Sequence, residues 1–315
     1  MAFPIRHLIG ILADNQRLRG SVMPLGTGRL TAWAKGLSLP RGGSRVIYTG
    51  HMYQMMPSLA SMEAGLGLMA DTPVTRLMGW GRFFNRFVNL SFFLTWPSGR
   101  QQAQYDLRLK KIAQSLRQAG IQFGYLYEKE LYTGALVYDL GLDEVFKKHA
   151  QRVWAMFQKH GVRSVITVDP HTTEMLREVY PKVVPGFQLE VKSYLEVLAE
   201  SGWTPPQALT EAVTLHDSCI YARTLQVSAQ PRAVLAKGPL VDSPDHAGAA
   251  THCCGGPAES LYPHKAETVA AERINQLAAR GCDTVAVLCP ICLHNLEKAG
   301  RARGIRVKDF SEIIG

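Results

Sequence analysis

Gly281-Cys282-Asp283-Thr284-Val285-Ala286-Val287-Leu288-Cys289-Pro290-Ile291-Cys292 decides the fold of this 315-residue chain, because the pattern occurs twice. The earlier copy runs Gly161-Val162-Arg163-Ser164-Val165-Ile166-Thr167-Val168-Asp169-Pro170-His171-Thr172. Each copy follows a helical stretch, passes through a short apolar run with strand character, and turns at a proline. Leu176 and Leu296 then fall at matching places on the next helix. Cys282 takes the place of Val162, so it reads as a small core hydrophobe.

Two more landmarks repeat. Thr214-Leu215-His216-Asp217-Ser218-Cys219 matches Val46-Ile47-Tyr48-Thr49-Gly50-His51, and Cys253-Cys254-Gly255-Gly256 matches Tyr132-Thr133-Gly134-Ala135. The periodicity predicts short buried strands at 45–49, 122–125, 164–168, 212–215 and 284–288. It predicts amphipathic helices at 105–118, 142–159, 191–200 and 265–280, with Gly120, Gly161 and Gly281 at helix ends. The expected architecture is α/β: two similar lobes from an internal duplication, each with a small, mainly parallel sheet flanked by helices. Residues 1–43 read as an N-terminal extension, 44–186 as the first lobe with an inserted aromatic segment near 55–104, and 187–315 as the second lobe. The landmark residues follow strand ends, where α/β folds place their ligands.

The six cysteines all lie between residues 219 and 292. Cys219 is followed after 33 residues by Cys253-Cys254, and after 34 more by Cys289-Pro290-Ile291-Cys292. Residues 1–13 contain a short apolar run, but Asp14, Gln16 and Arg17 stand where a signal-peptide cleavage site would need small residues. A cytoplasmic, reducing location is therefore expected, where clustered thiols point to metal or redox chemistry rather than disulfides. Thiolates select zinc, copper(I) or iron–sulfur clusters. Gly255 and Gly256 let the backbone come close to a bulky group. Apart from Cys282 there are five thiols, one more than a tetrahedral zinc site takes. They suit a multi-iron cluster.

The first copy has His51, Tyr132, Thr133, Asp169 and Thr172 at the five thiol positions. His51, Asp169 and His171 are donors for a hard or borderline metal, or ordinary structural hydrogen-bonding groups. His216, His252 and His264 flank the cysteines of the second copy, as proton donors or as loop-orienting groups.

The arrangement Cys219…Cys253-Cys254-Gly255…Cys289-x-x-Cys292 resembles the cysteine-rich CCG domain, usually found duplicated in the catalytic subunit of heterodisulfide reductases and in related iron–sulfur oxidoreductase subunits. Trp33-Ala34-Lys35-Gly36-Leu37 and Leu39-Pro40-Arg41-Gly42-Gly43 are also similar to larger members. The resemblance implies that Cys219, Cys253, Cys254, Cys289 and Cys292 hold one non-cubane [4Fe–4S] cluster. It also implies electron transfer to or from a disulfide or thiol substrate, or a membrane carrier. The first motif lacks thiols, and no ferredoxin-like cysteine run precedes it. A two-cluster mechanism is therefore unsupported, and electrons must come from a ferredoxin-like or flavoprotein subunit. The contrasting readings are a zinc-binding scaffold and a pure electron relay.

The spacing between the first two landmarks is about 47 residues longer in the first copy. The excess includes the run 77–96, with five phenylalanines and two tryptophans. Arg82, Asn85, Arg86 and Asn89 make it too polar to span a bilayer. It is expected to meet a membrane subunit or the cytoplasmic membrane face, or to cover its own lobe. The formal net charge of +9 is spread along the chain without a Lys/Arg block, and nucleic-acid motifs are lacking, so no nucleic-acid partner is expected.

Overall fold

The computed structural model describes residues 5–23, 25–69, 78–88, 97–207, 209, 211–241, 245–256 and 262–315. Within these, two four-stranded sheets carry the chain, with every strand pair parallel. The first contains β1 (Arg45–Tyr48), β2 (Gly124–Tyr125), β3 (Ser164–Thr167) and β4 (Glu190–Ser193) in the order β2-β1-β3-β4. The second contains β5 (Val213–His216), β6 (Leu240–Val241), β7 (Thr284–Val287) and β8 (Arg306–Asp309) in the order β6-β5-β7-β8. The two orders correspond strand for strand, so the duplication read from the sequence is a duplication of structure.

The central strands are short β-branched runs covered on both faces by helices, as parallel sheets require. Val46 pairs with Val165, and Thr214 with Val285. Val46, Ile47, Val165, Val285 and Val287 are essentially inaccessible. The largest covering helices are Met52–Met69, Gly99–Gln118, Asp143–Lys159, Pro263–Ala278 and Pro290–Arg301.

The span expected to form one helix from 191 to 200 differs. Glu190–Ser193 is an edge strand and only Tyr194–Glu200 is helical. Ser193 caps that helix, with Glu196 returning a bond to its backbone N–H. The second lobe repeats the device: β8 ends at Asp309, which caps Phe310–Ile314 with Glu312 in the reciprocal role. A capping box stops a helix from extending backwards and leaves the preceding residues extended. β4 lies beyond residue 186 and still completes the first sheet.

The lobes share a packed interface. Tyr53 Oη donates to Asp309 Oδ2 at 2.7 Å, and both residues are buried. Arg108 Nε meets Glu312 Oε2 at 2.9 Å, and His294 Nε2 lies 2.9 Å from Glu63 Oε2. Among the described residues no helix is long and apolar enough to cross a membrane.

Candidate metal centre

Three loops at the strand ends of the second lobe bring the thiols together. β5 leads through Asp217 to Cys219, which opens a π-helical turn over Ile220–Thr224. Asp217 is wholly buried and anchors this loop: Arg232 grips its carboxylate at 2.9 and 2.8 Å, and Gly248 N donates to it at 2.7 Å. Thr251 Oγ1 donates to the Asp217 carbonyl at 3.0 Å, tying the first loop to the chain that enters Cys253. Gly255 then turns with φ +83, a conformation that costs an L residue about 1–2 kcal/mol. The third loop follows β7. Cys289 is the N-cap of Pro290–Arg301, with Pro290 in the first helical position. Cys289 and Cys292 therefore lie at a helix N-terminus, whose partial positive charge favours thiolate.

The five sulfurs are neighbours in space that perturb one another's ionisation, Cys219 beside Cys253, Cys253 beside Cys254, Cys254 beside Cys292, and Cys292 beside Cys289. Cys254, Cys289 and Cys292 are buried, and Cys219 and Cys253 are half-buried. Thiol protons from Cys219 and Cys254, opposed by burial and aided by Gly255 N–H, hold Cys253 low. Burial works against ionisation of Cys289, but hydrogen bonds from Cys292 and His171 pull it well below a normal thiol. The other three are pushed up, chiefly by these neighbouring sulfurs and by burial. Like charges this close cannot all ionise without cationic metal among them. Backbone donors are already in place: Gly255 N lies 3.4 Å from Cys253 Sγ, and Gly256 N lies 3.4 Å from Cys254 Sγ. A buried, all-sulfur donor set with amide N–H groups aimed at the sulfurs fits an iron–sulfur group.

Cys282 is buried at the start of β7, the opposite end of the strand from Cys289.

The histidines separate clearly. His216 is buried within 4.8 Å of the Cys254 and Cys292 sulfurs, the only such group of three metal-binding side chains among the described residues. Arg273 Nε donates to its Nδ1 at 3.1 Å, which places the ring proton on Nε2. Burial and the Arg273 charge lower the His216 pKa to about 3, so the ring is neutral. Arg273 itself is buried and also donates to the His246 carbonyl at 3.0 Å and to Thr251 Oγ1 at 3.3 Å. His252 is exposed, pairs with Gln276 at 2.8 Å and packs against His246 with the rings tilted by 48°. The His264 side chain is 98% exposed and faces Glu267. Neither has a bond to a cysteine.

The first lobe keeps the geometry and fills it differently. Gly134 matches Gly255, with φ +85 against +83. A Cβ on Gly50 would lie 2.3 Å from Thr172 Oγ1 and 2.9 Å from Thr133 Cγ2, so both threonines close over this glycine. His51 is buried, 3.6 Å from Glu130, and burial lowers its pKa to about 3. Asp169 caps the next helix through Thr172 N at 2.9 Å.

His171 has a role that the sequence reading missed. Its sequence position marks it as a donor within the first lobe, yet its Nδ1 lies 4.0 Å from Cys289 Sγ in the second. Arg273 and Asp217 were missed as well. A buried Arg at the centre of an amphipathic helix carries no sequence signal of its own, although its place on the apolar face of Pro263–Ala278 is a clue.

Residues 213–297 match the cysteine-rich domain family CCG. The second lobe is thus a CCG domain, and all five motif cysteines fall within the match. The chain is similar to proteins with iron–sulfur names. It is 30% identical over 223 residues to the probable iron-sulfur-binding oxidoreductase FadF of Bacillus subtilis, covering 67% of this chain and 31% of that protein. It is 28% identical over 232 residues to the EtfAB:quinone oxidoreductase of Syntrophomonas wolfei, covering 67% and 32%. A probable membrane-anchored ferredoxin of Chromohalobacter salexigens is 28% identical over 228 residues, covering 67% and 34%. The chain spans about a third of the length of these relatives.

Proposed function

We propose that the chain is an iron–sulfur redox subunit in which Cys219, Cys253, Cys254, Cys289 and Cys292 hold one cluster. The observation that carries this reading is the convergence of five neighbouring sulfurs, three of them buried, from three loops within the residues that match the CCG family. Five sulfur donors favour a non-cubane [4Fe–4S] group over a four-coordinate zinc ion. When bound, such a group supplies one-electron transfer. The protein holds it on three loops, supplies amide donors from Gly255 and Gly256, and presents neutral His216 and cross-lobe His171 to the sulfurs.

Within these 315 residues only Cys282 remains after these five, so we place the electron-exchanging group outside this stretch of chain. A flavoprotein or ferredoxin-like subunit fits one side, in keeping with the names of the relatives. A carrier at the cytoplasmic membrane face fits the other. Residues 78–88 of the aromatic run are described; the rest of 77–96 lies outside the described residues. Trp80, Phe83, Phe84, Phe87 and Val88 are all exposed there, an apolar surface suited to a bilayer interface.

The zinc reading finds its closest donor set in His216, Cys254 and Cys292, and a four-coordinate ion leaves at least one of the five thiols without a role. Anaerobic purification separates the two. The redox reading expects a brown protein with iron and acid-labile sulfide in near-equal amounts. A colourless protein with stoichiometric zinc overturns it.

A further inference from the structure

A cavity of about 370 Å³ lies between the helices Ile5–Arg19 and Asp143–Lys159, and no residue of the cysteine centre lines it. Its walls carry Arg17, Lys148 and Arg152 against one carboxylate, Glu144. Glu144, Lys148 and Arg152 follow one another at intervals of four, so they share one face of their helix. Arg17 has Asp14 Oδ1 at 3.4 Å, but Arg82 and Arg86 hold the other oxygen of that carboxylate at 3.0 Å each. Three cations around one concave space attract an anion.

The floor of the cavity is polar and buried. Gln16 and His149 both line it, with 1% and 3% exposure. Gln16 Nε2 and Oε1 are both without a hydrogen-bond partner, and so is His149 Nδ1. Each such group costs about 1–3 kcal/mol when buried unpaired, so three together call for a bound partner. On the other side of the ring, His149 Nε2 meets the Tyr132 carbonyl. A carbonyl only accepts, so Nε2 carries the proton. Burial, opposed by the Tyr132 bond and aided by the Arg152 charge, lowers the His149 pKa to about 4. At neutral pH Nδ1 is therefore an acceptor.

Rim and floor select different parts of one ligand. The rim takes negatively charged oxygens, for which guanidinium and ammonium groups are strong donors. The floor offers one donor, Gln16 Nε2, and two acceptors, Gln16 Oε1 and His149 Nδ1. A carboxylate or sulfate at neutral pH has no proton to give those acceptors. A phosphate whose second proton leaves with a pKa of about 6 supplies both charged oxygens and a hydroxyl. Inorganic phosphate and a phosphate monoester meet this description, and a phosphodiester does not. The volume exceeds that of a phosphate group alone and leaves room for the body of an ester.

We propose that this cavity binds a protonated phosphate, free or as a monoester, with Arg17, Lys148 and Arg152 on its charged oxygens and Gln16 and His149 at its hydroxyl. The site stands apart from the cysteine centre and does not depend on the redox reading. The phosphate has two sources, a soluble molecule or the headgroup of phosphatidic acid. The second is in reach of the fold because Ile5–Arg19 also holds the exposed aromatic helix, through Asp14 with Arg82 and Arg86 and through Asn15 with Asn85.

The test is calorimetric titration of the full chain at pH 7 with sodium phosphate, and with sodium sulfate at matched ionic strength as the anion without a proton. Saturable phosphate binding is expected, with sulfate at least tenfold weaker. Lys148→Gln combined with Arg152→Gln, both on exposed residues, should weaken phosphate at least tenfold at an unchanged melting temperature. Gln16→Leu should bring phosphate down to the affinity of sulfate. Co-sedimentation with phosphatidic acid vesicles, against phosphatidylglycerol vesicles of equal charge density, separates the sources. A preference for phosphatidic acid that Gln16→Leu removes assigns the site to a headgroup, and saturable phosphate binding without that preference assigns it to a soluble phosphate. Equal affinity for phosphate and sulfate, phosphate binding unchanged in the Lys148→Gln, Arg152→Gln protein, or no binding of either phosphate source overturns the proposal.

Discussion

His171 Nδ1 lies 4.0 Å from Cys289 Sγ, across the boundary between the two lobes. The lobe without thiols thus contributes to the centre held by the other. Burial opposes charging of His171, but the Cys289 sulfur, Asp139 and Asp169 raise its pKa to about 9, so the imidazole is a hydrogen-bond donor at neutral pH. Hydrogen bonds to ligand sulfurs raise cluster potentials. His171→Ala is therefore expected to lower the midpoint potential by something on the order of tens of millivolts, the scale of one hydrogen bond on an electron-transfer couple. Redox titration followed by electron paramagnetic resonance measures this, and an unchanged potential would remove His171 from the centre.

The backbone at the paired cysteines allows a separate test. Gly255 has φ +83, and a Cβ there would sit 3.0 Å from the Ala266 carbonyl oxygen. Gly255→Ala should cost about 1–2 kcal/mol of stability from the left-handed backbone alone. The displaced loop should also lower iron content. Denaturant unfolding and iron analysis report the two effects, and full iron content at wild-type stability would contradict this account of the turn.

Glu130 makes the stability of the first lobe depend on pH. Burial raises its pKa to about 8, far above the usual carboxylate range, although hydrogen bonds from Thr49 oppose the shift. The folded state therefore binds this proton more tightly than the unfolded chain. Its stabilisation is complete below the unfolded pKa and is lost as pH rises through about 8. Buried His51, with its pKa lowered to about 3, acts in the opposite sense at more acidic pH, where the unfolded chain takes up its proton. Between pH 6.5 and 8 the Glu130 contribution should fall by about 1–2 kcal/mol. Glu130→Gln should flatten that limb. Denaturant unfolding of both proteins at the two pH values checks it, and parallel losses would assign the proton elsewhere.

The sequence carried the central strands, the duplication and the five thiols because each has a local pattern. Val165-Ile166 and Val285-Ala286-Val287 are apolar runs ahead of a proline turn, and Cys253-Cys254 is adjacent and glycine-flanked. Of the four edge strands only β2 was legible, within the predicted run 122–125. Glu190-Val191-Lys192-Ser193 and Arg306-Val307-Lys308-Asp309 alternate with polar residues on an exposed edge, and the first runs into a helix without a break. β6 contributes only two residues. The contacts that orient the histidines are also silent in sequence. Arg273 meets His216 over 57 residues and His171 meets Cys289 over 118, so no spacing rule connects them. Nearness along the chain equally misplaced His264, which sits beside the motif in sequence and points into solvent.

The exposed aromatics predict membrane association. Serine at Trp80, Phe83, Phe84 and Phe87 together should reduce co-sedimentation with anionic-lipid vesicles at least tenfold. Thermal unfolding should stay near wild type, because these side chains are already at least half exposed while Arg82, Asn85 and Arg86 keep their partners. Undiminished co-sedimentation would remove this helix from the membrane.

The central claim is that five thiols act together and the sixth stands apart. Iron content per chain, measured after anaerobic purification across single Cys→Ser variants, tests it most directly. Serine at Cys219, Cys253, Cys254, Cys289 or Cys292 should deplete iron and sulfide together, while Cys282→Ser should retain both. Equal loss in the Cys282 variant, or full iron in any two of the other five, would contradict the account.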